Sequence, residues 1–301
     1  MESPLKGIIP PMITPLESYN KLDNQGLHNL IEHLISGGVH GLFILGTNGE
    51  APSLTYELRK EIIKQTCEQV NNRVPVLVGI TDTSIEGSFE LTEYSKKVGA
   101  DAVVVAPPYY FPVSQAEMGD YFEALAPNLA LPFLVYNMPS HTKIHLSIET
   151  VKLAKELGAL GIKDSSGDLF YLYTLIEEFK TSPDFSVITG TELFIPETIM
   201  NGGHGAIAGG ANVFPKLFVQ LYEASLQKDY NAIAGLRTKV MKIYSDIYSV
   251  GQYTSRITKG TKCSLSVMGI CNDYMAPPLN KFNSSERKQI EKYVEELEKI
   301  M

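Results

Sequence analysis

The chain has 301 residues, a formal net charge of −8 and 44% apolar residues, which is the range of ordinary globular proteins. The acidic balance argues against a dedicated nucleic-acid binder, which needs a basic face, but allows a small anionic ligand at a locally positive site. No apolar run reaches the ~18 residues of a membrane helix, and the start lacks a signal-peptide pattern. The three cysteines, Cys67, Cys263 and Cys271, form no Cys-x-x-Cys pair, so neither a disulfide framework nor a zinc site is expected. These features predict a cytoplasmic protein with no membrane partner.

Apolar runs recur with a steady rhythm at residues 7–14, 40–47, 74–81, 101–108, 132–139, 159–165, 185–191 and 204–212. Several do not alternate; Ala102-Val103-Val104-Val105-Ala106 is apolar throughout. Such strands are buried on both faces, as in a parallel sheet. Helix-like segments lie between them. Leu58, Ile62, Ile63 and Cys67 form one stripe, with Lys60, Glu61 and Lys64 on other faces. Ser114 and Glu117 read as a capping box that opens the helix after the fourth run. This alternation predicts an α/β fold, a (β/α)₈ TIM barrel. A doubly wound sheet would more often carry a nucleotide fingerprint at a strand–helix turn, and none is found. Beyond about residue 215 the strand signals stop, and residues 215–227, 230–250, 255–269 and 284–301 read as helices. The expected organisation is a barrel over 1–225 and a C-terminal helical region over 226–301, packed on the barrel or on a partner subunit.

The C-terminal ends of barrel strands are where chemistry sits. Lys163 is the unusual residue there, because it follows Ala159-Leu160-Gly161-Ile162 inside an apolar strand. It faces either the barrel interior or the helix layer. Burying an ammonium is costly unless it is paired or its pKa falls. A desolvated lysine becomes an amine that forms a Schiff base with a carbonyl; the other reading is a salt bridge to Asp164 or Glu192. Tyr136 ends the preceding strand, and a phenol beside an imine can shuttle protons, although strand-end tyrosines are also amphipathic core. Gly46-Thr47-Asn48-Gly49-Glu50 is either an ordinary turn or a set of N–H groups and a hydroxyl that holds a carboxylate. His141 and His145 lie in a segment that reads as loop rather than helix, which does not favour a metal site.

Four motifs in order on the right strands are similar to one family: Gly46-Thr47-x-Gly49-Glu50, Pro108-Tyr109-Tyr110, Tyr136-Asn137-x-Pro139 and Gly161-Ile162-Lys163-Asp164. The sequence resembles the dihydrodipicolinate synthase / N-acetylneuraminate lyase family of class I aldolases over its whole length. The resemblance implies a homo-oligomer, dimer or tetramer, and a Schiff base between lysine and pyruvate or another 2-oxo acid, with no organic cofactor or metal. Lys163 stands where that lysine does, and Tyr136 matches the proton-relay tyrosine. Thr47 and the Asn48 N–H match the carboxylate-holding group. Tyr110 matches a tyrosine that reaches a neighbouring subunit's site, and Ile207 a residue whose backbone lies near the 2-oxo acid. Gly190 and Glu192 end strand seven as candidate substrate contacts, and Glu192 matches the first of two acidic residues that hold sugar hydroxyls in sialic acid lyases; Leu193 replaces the second.

His141 stands where dihydrodipicolinate synthases carry an arginine for the aldehyde's distal carboxylate, and an imidazole lacks the guanidinium fork. The expected function is therefore a Schiff-base aldolase or lyase joining or cleaving a 2-oxo acid and an aldehyde. The alternatives are 4-hydroxy-tetrahydrodipicolinate synthesis from pyruvate and aspartate semialdehyde, a sugar-acid dehydratase, and a non-catalytic barrel that binds a 2-oxo acid.

Overall fold

The apolar runs pair into one 8-stranded parallel sheet in a computed structural model that describes residues 4–301. The strands are β1 (Gly7–Ile8), β2 (Leu42–Ile44), β3 (Val76–Gly79), β4 (Ala102–Val105), β5 (Phe133–Asn137), β6 (Ala159–Asp164), β7 (Ser186–Thr189) and β8 (Gly205–Ala206). Their spatial order runs from β2 through β3 to β8 and on to β1. The chain just beyond β1 then closes the seam against β2. His40 N donates to Ile8 O at 2.8 Å, Phe43 N to Pro10 O at 3.0 Å and Met12 N to Phe43 O at 2.8 Å. The result is a (β/α)₈ barrel.

A helix follows each strand: α1 (Asn24–Ser36), α2 (Tyr56–Val70), α3 (Ile85–Lys97), α4 (Gln115–Leu125), α5 (Ile148–Glu156), α6 (Leu169–Glu178), α7 (Ile195–Met200) and α8 (Pro215–Gln227). The Ser114–Glu117 capping box opens α4 as expected. The strands are apolar on both faces because each face meets its own core. Phe43, Leu77, Val104, Leu134 and Ile188 pack in the lumen. Ile44, Val78, Val103, Val135 and Ile162 pack against the helices. This parity decides Lys163: Ile162 faces the helices, so the next side chain faces the lumen.

Two barrel strands are only two residues long, far shorter than their apolar runs predict. The run at 7–14 forms a strand only at Gly7–Ile8, because Pro10 and Pro11 have no N–H to give a ladder. The run at 204–212 pairs only at Gly205–Ala206 and then tightens into a 3₁₀ turn at Gly209–Asn212. A small antiparallel hairpin, Leu16–Ser18 with Lys21–Leu22, was not predicted.

The C-terminal helices are α9 (Tyr230–Asp246), α10 (Arg256–Val267) and α11 (Ser284–Glu298). The helix expected over 230–250 stops four residues early, and a turn follows it. These helices pack on their own barrel. Glu197 of α7 pairs with Arg237 of α9. Asp23, which caps α1, also accepts from Asn272 N at 2.9 Å and Asn272 Nδ2 at 2.8 Å. The deepest tie is a buried ion pair, Lys262 Nζ to Glu50 Oε1 at 2.5 Å. Glu50 Oε2 accepts from Ala276 N at 2.8 Å. The glutamate of the Gly-Thr-x-Gly-Glu motif therefore holds the C-terminal region against the mouth of the barrel.

Candidate active site

Lys163 and Tyr136 lie directly opposite each other on β6 and β5. Lys163 is only 4% exposed, and its Nζ sits 3.8 Å from the Tyr136 ring centroid and 5.0 Å from that of Phe43. The two carboxylates that could have neutralised it are engaged elsewhere. Asp164 faces away, accepting from Asn137 Nδ2 at 2.8 Å and Ser166 Oγ at 2.9 Å. Glu192 accepts from Gly210 N at 2.7 Å. The salt-bridge reading of Lys163 is thus not what the structure contains. Burial pushes the Lys163 amine below the ordinary lysine range, with Tyr136 opposing the shift. Burial pushes the Tyr136 phenol up, but the Lys163 charge and hydrogen bonds from Thr47, Lys163 and Ser165 outweigh it and hold the phenol below its usual value. Once Lys163 sheds its proton that attraction is gone, so the depressed lysine is the shift that governs the pair. A buried, proton-free amine beside a phenol can form an imine and move protons around it.

Thr47 reaches this pair through strained backbone. Leu45 ends β2 in the left-handed region, at φ 56°, an uncommon conformation for a residue with a branched side chain. The turn brings Thr47 Oγ1 to 3.3 Å from the Tyr136 hydroxyl. It also brings the Leu45 carbonyl against β3, where a Cβ on Gly79 would come within 2.2 Å of it. The Asn48 side chain is tied to the C-terminal region by Thr258 Oγ1, at 3.4 Å from Asn48 Oδ1.

Glu192 is buried beside Lys163's cavity, and burial raises its carboxyl to about 7, with the Gly210 N–H opposing. Tyr244 and Tyr248 of the C-terminal region face it. The Tyr248 hydroxyl is buried without a hydrogen-bond partner of normal geometry. A carboxyl raised on folding favours the folded state below its unfolded value, and that contribution fades as pH rises through the folded one. Glu192→Gln is expected to flatten the fall in stability between the ordinary value of 4.5 and about 7. Urea unfolding of both proteins across that interval checks this, and parallel curves would refute it.

Lys163, Tyr136, Thr47, Asn48, Gly190, Glu192 and Ile207 all line one cavity of about 210 Å³. A Cβ on Gly190 would lie 1.8 Å from Ser165 Oγ, so a side chain there would force Ser165 to move. A larger cavity of about 1070 Å³ shares Thr47, Asn48 and Tyr136 and extends past His141 to the C-terminal region. His141 is not in a loop; it lies in a single helical turn, Pro139–Thr142, started by a proline at a position where its missing N–H costs nothing. Tyr110 lines neither cavity. It is 86% exposed, at φ 102°, with its ring edge-on to the exposed Phe111.

Sequence reasoning missed Ser165, Tyr244 and Tyr248. Ser165 follows Lys163-Asp164 at a strand end and was open to notice. The two tyrosines, four residues apart, look like an ordinary helix stripe in sequence.

The dihydrodipicolinate synthetase family model matches residues 4–297. The chain belongs to this family. It is 32% identical over 289 residues to the 4-hydroxy-tetrahydrodipicolinate synthase of Polynucleobacter asymbioticus, covering 95% of this chain and 92% of that one. Among solved structures, the dihydrodipicolinate synthase of Bacteroides thetaiotaomicron superposes with a TM-score of 0.95 at 48% identity, covering 98% of this chain and all of the other. YagE of Escherichia coli K12, solved in complex with pyruvate, superposes with a TM-score of 0.91 at 31% identity, covering 98% and 99% of the two chains. The family is enzymatic. No helix among the described residues is long and apolar enough to cross a membrane.

Proposed function

We propose that this protein is a class I aldolase or lyase that binds pyruvate or a related 2-oxo acid as a Schiff base on Lys163 and joins it to, or cleaves it from, an aldehyde. The observation that carries this reading is the buried Lys163 amine with no carboxylate engaged to it, 3.8 Å from the ring of Tyr136. The amine lone pair attacks the ketone carbon, and loss of water leaves a protonated imine. Loss of a C3 proton then gives an enamine, which bonds to the aldehyde carbon while the aldehyde oxygen takes a proton. Hydrolysis frees the product and restores the amine; cleavage runs the same steps in reverse. Tyr136, held by Thr47, carries the protons. Thr47 and the Asn48 N–H hold the 2-oxo-acid carboxylate, with Ile207, Gly190 and Glu192 completing the wall of the cavity.

Borohydride reduction with pyruvate tests the reading. Mass spectrometry should find a pyruvyl adduct on Lys163, and an unlabelled Lys163 would sink it. The names of the synthase relatives favour a second reading, condensation of pyruvate with aspartate semialdehyde. YagE, provisionally named a 2-dehydro-3-deoxy-D-gluconate aldolase, supports sugar-acid chemistry instead. Turnover with a panel of aldehydes separates the two.

Tyr110 stands in solvent, away from its own Lys163, and we propose that it completes the site of a second copy in a homo-oligomer. Sedimentation velocity should find dimers or tetramers; a monomer at working concentrations would overturn the assignment.

A further inference from the structure

Lys259 is a buried cation that the proposed chemistry does not use. It lies on α10 and is 4% exposed. Its Nζ sits 3.6 Å from the Tyr253 ring centroid and 5.7 Å from that of Phe282. Two nearby lysines have carboxylates: Lys262 pairs with Glu50 at 2.5 Å and Lys281 with Asp273 at 3.5 Å. Among the described residues the Lys259 ammonium has neither an ion-pair partner nor a hydrogen-bond acceptor. Burial pushes its pKa below the ordinary lysine range, and Glu286 opposes the shift only from a distance; Glu286 is spent on capping α11, where its side chain accepts from Asn283 N at 2.9 Å.

A cation taken from water without an anion is unfavourable, and ring faces offset only part of the loss. An anion arriving from the cavity would supply the rest. Lys259 opens on the same cavity of about 1070 Å³ as Tyr136, Thr47 and His141. That volume is large for pyruvate and a two-carbon aldehyde; it suits a substrate reaching several carbons outward. His141 is exposed, and partial desolvation, with help from Lys143 and Lys163, pushes its imidazole below the ordinary range, so it is a poor competing cation.

We propose that Lys259 binds an anionic group, carboxylate or phosphate, at the far end of the aldehyde substrate, and so selects aldehydes with a charged tail. This deepens the aldolase reading and rests on it. Lys259 acts on recognition, not on the reacting atoms.

The test compares the full-length parent with Lys259→Met, Lys259→Gln and Lys259→Arg. Turnover is measured with pyruvate and four aldehydes: succinic semialdehyde and glyceraldehyde 3-phosphate as the charged pair, butanal and glyceraldehyde as neutral counterparts. Each neutral variant is expected to raise KM about tenfold or more for a charged aldehyde, the scale of one charge-assisted contact. KM for the neutral aldehydes should not change. Lys259→Arg should stay near the parent. The two charged aldehydes tell a carboxylate tail from a phosphate tail. Calorimetric binding of glutarate and of glycerol 3-phosphate, which need no imine, should weaken by a similar factor. Equal loss for charged and neutral aldehydes would mean that Lys259 only supports Tyr253 and Phe282, and would overturn the proposal, as would unchanged binding of both unreactive anions. Borohydride labelling of Lys163 is followed in parallel. If the parent is not labelled, the Schiff-base reading falls and the calorimetric arm alone decides this one.

Discussion

Lys163→Ala is expected to abolish the pyruvyl adduct and lower turnover by about 10⁴-fold or more, the scale on which loss of a covalent nucleophile falls. The expectation follows from where the amine stands. It is buried between the rings of Tyr136 and Phe43, and the neighbouring Asp164 is committed to Asn137 and Ser166. No other described lysine lines its cavity. Tyr136→Phe removes one hydroxyl and keeps the ring, so the adduct should still form while turnover falls by about 10²- to 10⁴-fold, the range of proton-transfer catalysis. Because burial lowers the Lys163 pKa, the amine should be free at a pH below the ordinary lysine value of 10.5. kcat/KM should then decline as pH falls through that depressed value, since the protonated amine has no lone pair. A Lys163→Ala variant with parental turnover would falsify the mechanism. An unchanged Tyr136→Phe variant would remove only the proton-relay role.

Lys262→Met is expected to destabilise the protein by about 3–5 kcal/mol, the cost of leaving one member of a buried ion pair unpartnered. Both side chains are almost wholly enclosed, at 0% and 1% exposure. Taking away the lysine leaves Glu50 with the Ala276 N–H alone. Adding Glu50→Gln should recover much of the loss, because an uncharged amide suits the apolar surroundings better than an orphaned carboxylate. Urea unfolding of the two single variants and the double variant measures the coupling. A single variant as stable as the parent would show that the pair contributes nothing. The effect should also reach the site, because the turn that ends at Glu50 carries Thr47 and Asn48. With the C-terminal region loosened, the Thr258–Asn48 contact should weaken, and affinity for pyruvate with it.

The barrel was legible because its signal is local and repeated. Strands buried on both faces read as unbroken apolar runs, and helices between them carry their own period and caps. Strand lengths were not legible where prolines interrupt the ladder, as at Pro10 and Pro11, or where the chain turns after two paired residues, as at Gly205–Ala206. The cavity wall was legible at residues that end strands, since an α/β barrel brings all such ends to one face. Thr47, Tyr136, Lys163, Gly190 and Glu192 end strands, Ile207 was singled out by the family resemblance, and all six line one cavity.

What comes from the C-terminal region was not legible. Tyr244, Tyr248 and Lys259 have no strand-end position to mark them, and a tyrosine or lysine in a helix is ordinary in sequence. Only packing turns Lys259 into a cation without an anion and Glu50 into the anchor of a distant helix. The opposite outcome holds at Tyr110, where a motif residue stands outside its own cavity.

The amino-acid sequence by itself determined the fold class, the acidic balance and the short set of residues that meet at one end of the barrel. Those follow from periodicity and chain order. The tertiary structure decided which way Lys163 faces, that no carboxylate neutralises it, and how far the cavity extends beyond it. Burial, charge pairing and cavity shape depend on residues far apart in the chain, such as Glu50 and Lys262, whose meeting no local pattern encodes.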